Sequence, residues 1–142
     1  MNAQSINMEP LAEEHPIYSI VAPVFNEAET LPHFYERVVK VMEDIGEPFE
    51  IVLINDGSRD KTYSILQEIH AKDARVRVID FSRNFGHQIA ISAGLDYAQG
   101  DAVVVLDSDL QDPPEVIPEL IARWKDGAEV VYAQRAKRKG ET

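Results

Sequence analysis

Short apolar runs alternate with segments of helical periodicity from residue 18 onwards, and this alternation constrains the fold more than any other feature of the chain. Each apolar run is followed by a polar cluster, which is typical of a strand that ends in a loop. The pattern predicts five strands, at residues 19–25, 49–55, 76–81, 102–106 and 129–133. Strands that alternate with helices indicate an α/β fold, a mostly parallel sheet with helices on both faces.

Four helices are predicted between and after these strands. They cover residues 31–45, 60–73, 87–98 and a segment that follows Pro113 and Pro114. Thr30 stands where a hydroxyl can cap the first helix, and Gly46 stands where that helix ends. Residues 1–17 lack the basic flank and apolar core of a signal peptide, so we expect a flexible leader before a domain at 18–142.

The charge and the absence of cysteine limit the partners of the chain. The 25 acidic and 14 basic side chains give a formal net charge of -11, which would repel nucleic acid. With no cysteine present, a metal must bind oxygen or imidazole ligands, which favours Mg²⁺ or Mn²⁺. The longest apolar run, at 102–106, is far shorter than the roughly 20 residues that cross a bilayer. We therefore expect this piece of the protein to be soluble and cytoplasmic.

The loops that follow the predicted strands carry most of the chemically reactive residues. Right-handed crossovers bring the carboxyl ends of parallel strands to one edge of the sheet, where ligands bind. Asp107 and Asp109 follow the fourth strand directly, and Gln111 could add a neutral oxygen ligand for a hard cation. An isolated Asp-x-Asp is also common as a solvated turn that caps a helix.

Two further carboxylates should reach the same edge. Glu27 follows the first strand and Asp56 follows the second, and four converging carboxylates would repel one another unless a cation lay between them. The segment Asp56-Gly57-Ser58 is equally consistent with a turn in which Ser58 or Asp60 caps the next helix. The sequence leaves both roles open for Asp56.

The motifs that the chain lacks limit the ways in which it could bind a phosphate. Neither a G-x-G-x-x-G nor a Walker loop occurs, so metal-assisted binding of a diphosphate is the remaining route. Arg83, His87 and Arg135 are the basic residues placed to help. His87 is more typical of a helix start than of a ligand, and Arg135 belongs to a basic segment that solvent alone could explain.

Four motifs in this order resemble the inverting family 2 glycosyltransferases of the GT-A fold. They are residues 21–27 (VAPVFNE), 54–58 (INDGS), 81–87 (FSRNFGH) and 107–115 (DSDLQDPPE). More narrowly, the chain looks like the branch that transfers a sugar to polyprenyl phosphate, which includes dolichol-phosphate mannosyltransferases and bactoprenol glucosyltransferases. The resemblance implies that the sheet is the Rossmann-like, nucleotide-binding half of a GT-A domain.

The resemblance also implies roles for individual residues. Those expected to bind the nucleotide-sugar are Pro23, Phe25, Glu27, Ile54, Asp56, Asp107, Ser108 and Arg135, with Arg138 as a weaker match. Asp109 and Gln111 are expected to hold Mg²⁺ or Mn²⁺. UDP-glucose is the first expected donor, with GDP-mannose and a UDP-N-acetylhexosamine as alternatives.

The implied reaction is a metal-dependent transfer to a polyprenyl phosphate with inversion, as part of cell-envelope glycosylation at the cytoplasmic face of the membrane. An ionised phosphate acceptor needs no general base, and none is identified here. Family members continue into acceptor and membrane-associated segments, so we expect this piece to bind the donor and to transfer sugar poorly. An oligomer of the intact protein stays open.

Two other classes of function are consistent with acidic residues at this edge. A receiver-like regulatory module binds magnesium there, but its acidic pair follows the first strand and a lysine follows the fifth. A hydrolase with an Asp-x-Asp nucleophile also has that motif after its first strand. Here the pair Asp107 and Asp109 follows the fourth predicted strand, which favours the glycosyltransferase.

Overall fold

The computed structural model of the chain describes residues 3–5, 15–125, 127 and 130–132. Its strands are β1 (Ala3–Ser5), β2 (Tyr18–Val24), β3 (Phe49–Asn55), β4 (Val76–Phe81), β5 (Ala102–Val105) and β6 (Val130–Tyr132). Its helices are α1 (Leu31–Ile45), α2 (Thr62–Lys72), α3 (His87–Tyr97) and α4 (Ile117–Lys125), with a 3₁₀ turn at Pro114–Val116 before α4.

The six strands form one sheet in the order β1-β4-β3-β2-β5-β6. All neighbouring pairs from β4 to β6 are parallel, and β1 pairs antiparallel with β4 at the edge. The chain moves outward from β2 to β4 in one direction and from β5 to β6 in the other. The gap between the carboxyl ends of β2 and β5 is therefore the topological switch point, where open α/β sheets bind their ligands.

Helices cover both faces of the sheet, because side chains along each strand alternate between two cores. The larger core packs α1, α2 and α4 against one face through residues such as Phe34, Leu66 and Leu120. The smaller core packs α3 against the other face through Ala90 and Ala93. The predicted α/β architecture, a mostly parallel sheet with helices on both faces, is confirmed.

The amino ends of the strands are closed by a buried polar network. Glu50 on β3 is fully buried, and its carboxylate accepts hydrogen bonds from Arg77 Nη1, Ser19 Oγ and the Gln99 backbone N–H, each at 2.6 Å. Ser19 Oγ in turn accepts the Gly100 N–H at 2.8 Å. A buried carboxylate needs this degree of pairing, and the pairing fixes the loop between α3 and β5.

Most predicted elements agree with the structure to within one or two residues. Two local expectations need correction. The predicted flexible leader contains the strand β1 (Ala3–Ser5), which no pattern in the sequence indicated. Thr30 occupies the cap position of α1 but caps nothing, because its hydroxyl donates to the Ser108 carbonyl at 3.4 Å. Within the described residues, no helix is long and apolar enough to cross a membrane.

Candidate functional site

An open cleft of about 300 Å³ lies at the switch point, over the carboxyl ends of β2, β3 and β5. Its walls come from the loops that follow β2, β3, β4 and β5. The residues that line it are Pro23, Val24, Phe25, Glu27, Asp56, Asn84, Gly86, His87, Asp107, Ser108 and Asp109. Four of these side chains are carboxylates, as the sequence predicted for this edge.

The loop after β2 is held in place by the loop after β3. The Asn26 backbone N–H donates to Ser58 Oγ at 2.9 Å, and Asn26 Oδ1 accepts the Arg59 N–H at 2.7 Å. The Glu27 N–H donates to Thr62 Oγ1 at 2.9 Å. Asn26 has a φ of 51°, a left-handed conformation that asparagine tolerates better than most residues. These bonds set the direction in which Phe25 and Glu27 face the cleft, and Phe25 is 43% exposed there.

Pro23 lies in the central strand β2, a position that usually excludes proline. Its carbonyl accepts a hydrogen bond from Ser108 Oγ at 3.0 Å rather than from a neighbouring strand. The β2–β5 ladder already ends at the pair Val21↔Val105. Pro23 stays in register with Ile54 on the β3 side, but no strand residue stands opposite it on the β5 side. A proline is tolerated there because the β2–β5 ladder has already ended, and Ser108 continues the contact where β5 stops.

Glu27 and Ser108 are in direct contact at the centre of the cleft. Ser108 Oγ lies within hydrogen-bonding distance of both the Glu27 carboxylate and the Pro23 carbonyl, although it has one proton to donate. Burial raises the pKa of Glu27, and the charges of Asp109 and Asp107 raise it further, against the lowering effect of the Ser108 bond. The three carboxylates therefore repel one another in a partly desolvated space.

Asp56 fixes the loop between β4 and α3. It is 4% exposed, and its carboxylate accepts the Phe85 N–H at 2.8 Å, the Gly86 N–H at 3.2 Å and Asn84 Nδ2 at 3.2 Å. The next residue, Gly57, has a φ of +74°, and a Cβ there would overlap the Asn84 backbone nitrogen. The turn that begins at Asp56 is thus built to let the two loops touch.

Of the two residues considered as caps of α2, Asp60 binds the start of the helix and Ser58 does not. Asp60 Oδ1 accepts the Thr62 N–H at 2.9 Å at the start of the helix, and its Oδ2 accepts the Ala28 N–H at 3.3 Å. Burial would raise the pKa of Asp60, but these hydrogen bonds lower it below the ordinary value. Ser58 contacts the loop after β2 instead of capping α2. Asp60 therefore joins the helix start to the wall of the cleft.

His87 and Asp107 meet across the cleft. His87 is the first residue of α3, as its sequence context indicated, and its Nε2 lies 2.9 Å from Asp107 Oδ1. The His87 side chain is 58% exposed and that of Asp107 is 31% exposed. The sequence did not predict this pair. The sequence feature that could have indicated it is the position of His87 in a strand-to-helix loop at the same edge as Asp107.

The turn after β5 places Asp109 and Gln111 beside each other. The Gln111 N–H donates to Asp109 Oδ1 at 3.1 Å, and Leu110 between them has a φ of 68°. Among the described residues, no three His, Asp or Glu side chains are arranged as a ready-made metal site. Carboxylate and amide oxygens nevertheless suit Mg²⁺ and Mn²⁺, which commonly use one or two carboxylates together with substrate phosphates and waters. The donor set fits such a cation.

Of the predicted donor-binding residues that the structure describes, all but Ile54 line the cleft. Ile54 is fully buried in the core beneath α3 and does not line the cleft. Its side of β3 faces the helix, so its position does not support the predicted contact with a nucleotide. Arg135 and Arg138 lie outside the described residues. Gln111 is exposed at the margin of the site.

Similarity to known proteins is consistent with this geometry. Residues 19–142 match the model of the family described as glycosyl transferase family 2. The chain is 59% identical over 128 residues to an uncharacterized glycosyltransferase of Bacillus subtilis, covering 90% of this chain and 40% of that protein. It is 51% identical over 120 residues to the bactoprenol glucosyl transferase of Shigella phage SfV, covering 84% and 39%. The chain thus spans about 40% of the length of these relatives.

A solved structure supports the fold assignment. A mannosyltransferase from Pyrobaculum calidifontis, in complex with GDP-Man and Mn²⁺, superposes with a TM-score of 0.64 at 20% sequence identity. The match covers 79% of this chain and 33% of that protein. The receiver-like and hydrolase alternatives have no support, since the matching family is one of glycosyltransferases.

Proposed function

The chain belongs to glycosyl transferase family 2, and from this premise we propose that it binds a nucleotide-sugar whose sugar is transferred to a polyprenyl phosphate. The observation that carries the proposal is the cleft at the switch point, which brings Glu27, Asp107 and Asp109 together. Open α/β sheets bind nucleotides at this point. The likeness to a bactoprenol glucosyl transferase supports the class of acceptor.

The nucleoside would enter along the loop after β2. Phe25 offers an exposed aromatic face and Pro23 an apolar wall, both suited to a planar base or a ribose. Glu27 offers a carboxylate that accepts hydrogen bonds from hydroxyls. Asp56 has its carboxylate occupied by the β4–α3 loop, so its contribution to donor binding is to hold that loop in place.

The diphosphate would lie over the turn after β5. Asp107 and Ser108 would face the ribose and the diphosphate, and Asp109 with Gln111 would hold Mg²⁺ or Mn²⁺. When bound there, the cation would offset the negative charge that develops on the departing diphosphate. Arg135 would add a second positive charge, as the family resemblance implies. A cation also explains how so acidic a cleft could accept an anionic ligand.

The transfer would be a single displacement. An oxygen of the acceptor phosphate forms a bond to the anomeric carbon while the bond from that carbon to the nucleoside diphosphate breaks and its electron pair leaves with the diphosphate. The configuration at the anomeric carbon inverts. Because the acceptor phosphate is already ionised, no side chain has to remove a proton. Such a reaction would proceed at the cytoplasmic face of the membrane, where lipid acceptor and soluble donor meet.

UDP-glucose is the first donor to test, because one relative is named for glucosyl transfer. GDP-mannose and a UDP-N-acetylhexosamine are the alternatives. We would titrate these three donors into the chain by calorimetry, with and without Mn²⁺. We expect one donor to bind preferentially and only with the metal present.

The test variant is Asp109→Ala, and its control is Asp44→Ala, an exposed residue of α1 that does not line the cleft. Loss of the metal-dependent binding in the first variant alone would support the assigned metal ligand. Donor binding that is indifferent both to Mn²⁺ removal and to Asp109→Ala would refute it.

A further inference from the structure

The chain holds one of its cleft carboxylates with an imidazole, and the geometry points to His87 as a positioning residue that presents Asp107 to the donor. His87 Nε2 lies 2.9 Å from Asp107 Oδ1. This inference rests on the proposed function, since it assigns a role within the same donor site. It gives His87 a role different from the help with phosphate binding for which the sequence made it a candidate.

The position of His87 is fixed by the loop that precedes it. The Asp56 carboxylate accepts the N–H groups of Phe85 and Gly86. The Phe85 ring also packs edge-to-face on Phe81, with ring centroids 5.4 Å apart. His87 follows this anchored segment directly and opens α3. The His87 side chain is exposed, but the preceding loop and the start of α3 fix its backbone. Its imidazole can therefore hold a partner side chain in one orientation.

The charges around the cleft show why such a partner matters. Of the described residues that line the cleft, His87 is the one side chain that can carry a positive charge, against four carboxylates. The described residues of the cleft wall offer no such cation to Glu27 or Asp109. The charge of Asp107 contributes to the raised pKa of Glu27. By bonding Asp107 from the α3 side, the imidazole takes one carboxylate oxygen and leaves the other for a donor hydroxyl.

This arrangement separates two roles within a short turn. Asp107 is tied to α3, while Asp109 is tied to the Gln111 N–H on its own turn. A fixed Asp107 serves the donor, and Asp109 keeps its other carboxylate oxygen, Oδ2, for the cation. Without His87, Asp107 would rotate freely, and ordering it again would oppose donor binding.

The test compares His87→Ala, His87→Gln and His15→Ala in the same donor titration with Mn²⁺. Glutamine can donate a side-chain N–H to Asp107 and serves as the conservative variant. His15 is a matched control, since its Nε2 lies 3.1 Å from Asp101 Oδ1 in an exposed His–Asp pair at the other end of β5. We expect about tenfold weaker donor binding in His87→Ala, near wild-type binding in His87→Gln, and no change in His15→Ala.

Two further measurements distinguish positioning from damage to the fold. The melting temperature and the affinity for Mn²⁺ alone should be unchanged in His87→Ala, because Asp109 and Gln111 keep their geometry. Wild-type donor affinity in His87→Ala, failure of glutamine to restore it, or a parallel loss of Mn²⁺ affinity would each overturn the inference. If the wild-type chain bound none of the three donors, the proposed function itself would fail. Wild-type donor binding that His87→Ala leaves unchanged would refute only the role of His87, so the two failures are distinguishable.

Discussion

The amino ends of the strands pair each buried carboxylate with a hydrogen-bond donor or cation, whereas the carboxyl ends bring carboxylates together. Glu50 at the amino end has three donors at 2.6 Å, one of them the guanidinium of Arg77. Glu27 at the carboxyl end has the hydroxyl of Ser108 and the charges of Asp107 and Asp109 as neighbours. At the amino end the paired side chains Ser19, Glu50 and Arg77 stand on β2, β3 and β4 themselves. At the carboxyl end the clustered carboxylates stand in the loops that follow the strands.

The pKa values of two acids express the same contrast. Asp73 lies near the amino end of β4, and burial would raise its pKa, but hydrogen bonds from Arg75 and Tyr35 lower the pKa below the ordinary value. The pKa of Glu27 at the carboxyl end is raised. The carboxylates at the amino end are paired within the protein, while the carboxyl end carries uncompensated negative charge that a cation would stabilise. An edge of this kind indicates where a ligand belongs.

The largest effect on stability is expected from Arg77→Ala at the amino end. The substitution leaves the Glu50 carboxylate buried without its charge partner, which should lower the free energy of unfolding by about 3 to 5 kcal/mol. Urea denaturation followed by circular dichroism measures it. The double variant Glu50→Gln with Arg77→Met should recover more than half of the loss, because no charge is then buried. A cost below about 1 kcal/mol for the single variant would contradict the contrast between the two ends.

A smaller effect separates two glycines with similar backbone angles. Gly57 at the carboxyl end has a φ of +74° and touches the Asn84 backbone, while Gly46 at the amino end has a φ of +83° and open space around it. Both alanine variants incur backbone strain of about 1 kcal/mol. Gly57→Ala must also displace the β4–α3 loop, so we expect roughly 2 kcal/mol or more in unfolding experiments.

Donor titration gives a second difference between the two glycine variants, in binding rather than in stability. Gly57→Ala moves the segment that leads to His87, so it should weaken donor binding, while Gly46→Ala should not. Equal stability losses in the two variants, or equal donor affinities, would show that the contact between the two loops has no structural consequence.

The sequence predicted the elements and the edge that carries the site, because both follow from local periodicity and from the handedness of crossovers. Strand β3 was predicted residue for residue. The apolar runs that form the strands are long enough for their pattern to be unambiguous. The convergence of Glu27, Asp107 and Asp109 followed from the topology alone, without knowledge of any distance.

Contacts between distant loops were not predictable in the same way. Ile54 was expected at the donor, but the alternation of side chains along β3 turns it beneath α3. Thr30 stands at a cap position, yet its hydroxyl bonds to Ser108, 78 residues away. The pair His87 and Asp107 likewise depends on how the loops after β4 and β5 approach each other. Local patterns contain no information on such approaches.

The pH dependence of stability offers a further test at the amino end. The folded pKa of Asp73 is lowered, so its contribution is fully present above the ordinary value of 3.8 and is lost as the pH falls below it. Asp73→Asn should reduce the free energy of unfolding by about 1 to 2 kcal/mol near neutral pH and remove this acid-side loss. Denaturation at several pH values measures it. Asp44→Asn, which breaks an exposed pair with Lys40, should have an effect below about 0.5 kcal/mol.

The smallest effect is expected at the carboxyl end, from Glu27→Gln. The folded pKa of Glu27 is raised, so the wild-type chain loses stability as the pH rises from the ordinary value of 4.5 through the folded pKa. A neutral glutamine keeps a polar contact with Ser108 and removes the repulsion from Asp107 and Asp109. The free energy of unfolding near neutral pH should therefore stay constant or rise by up to about 1 kcal/mol, while Mn²⁺-dependent donor binding weakens. A destabilised Glu27→Gln variant would mean that this end of the sheet is as fully paired as the other.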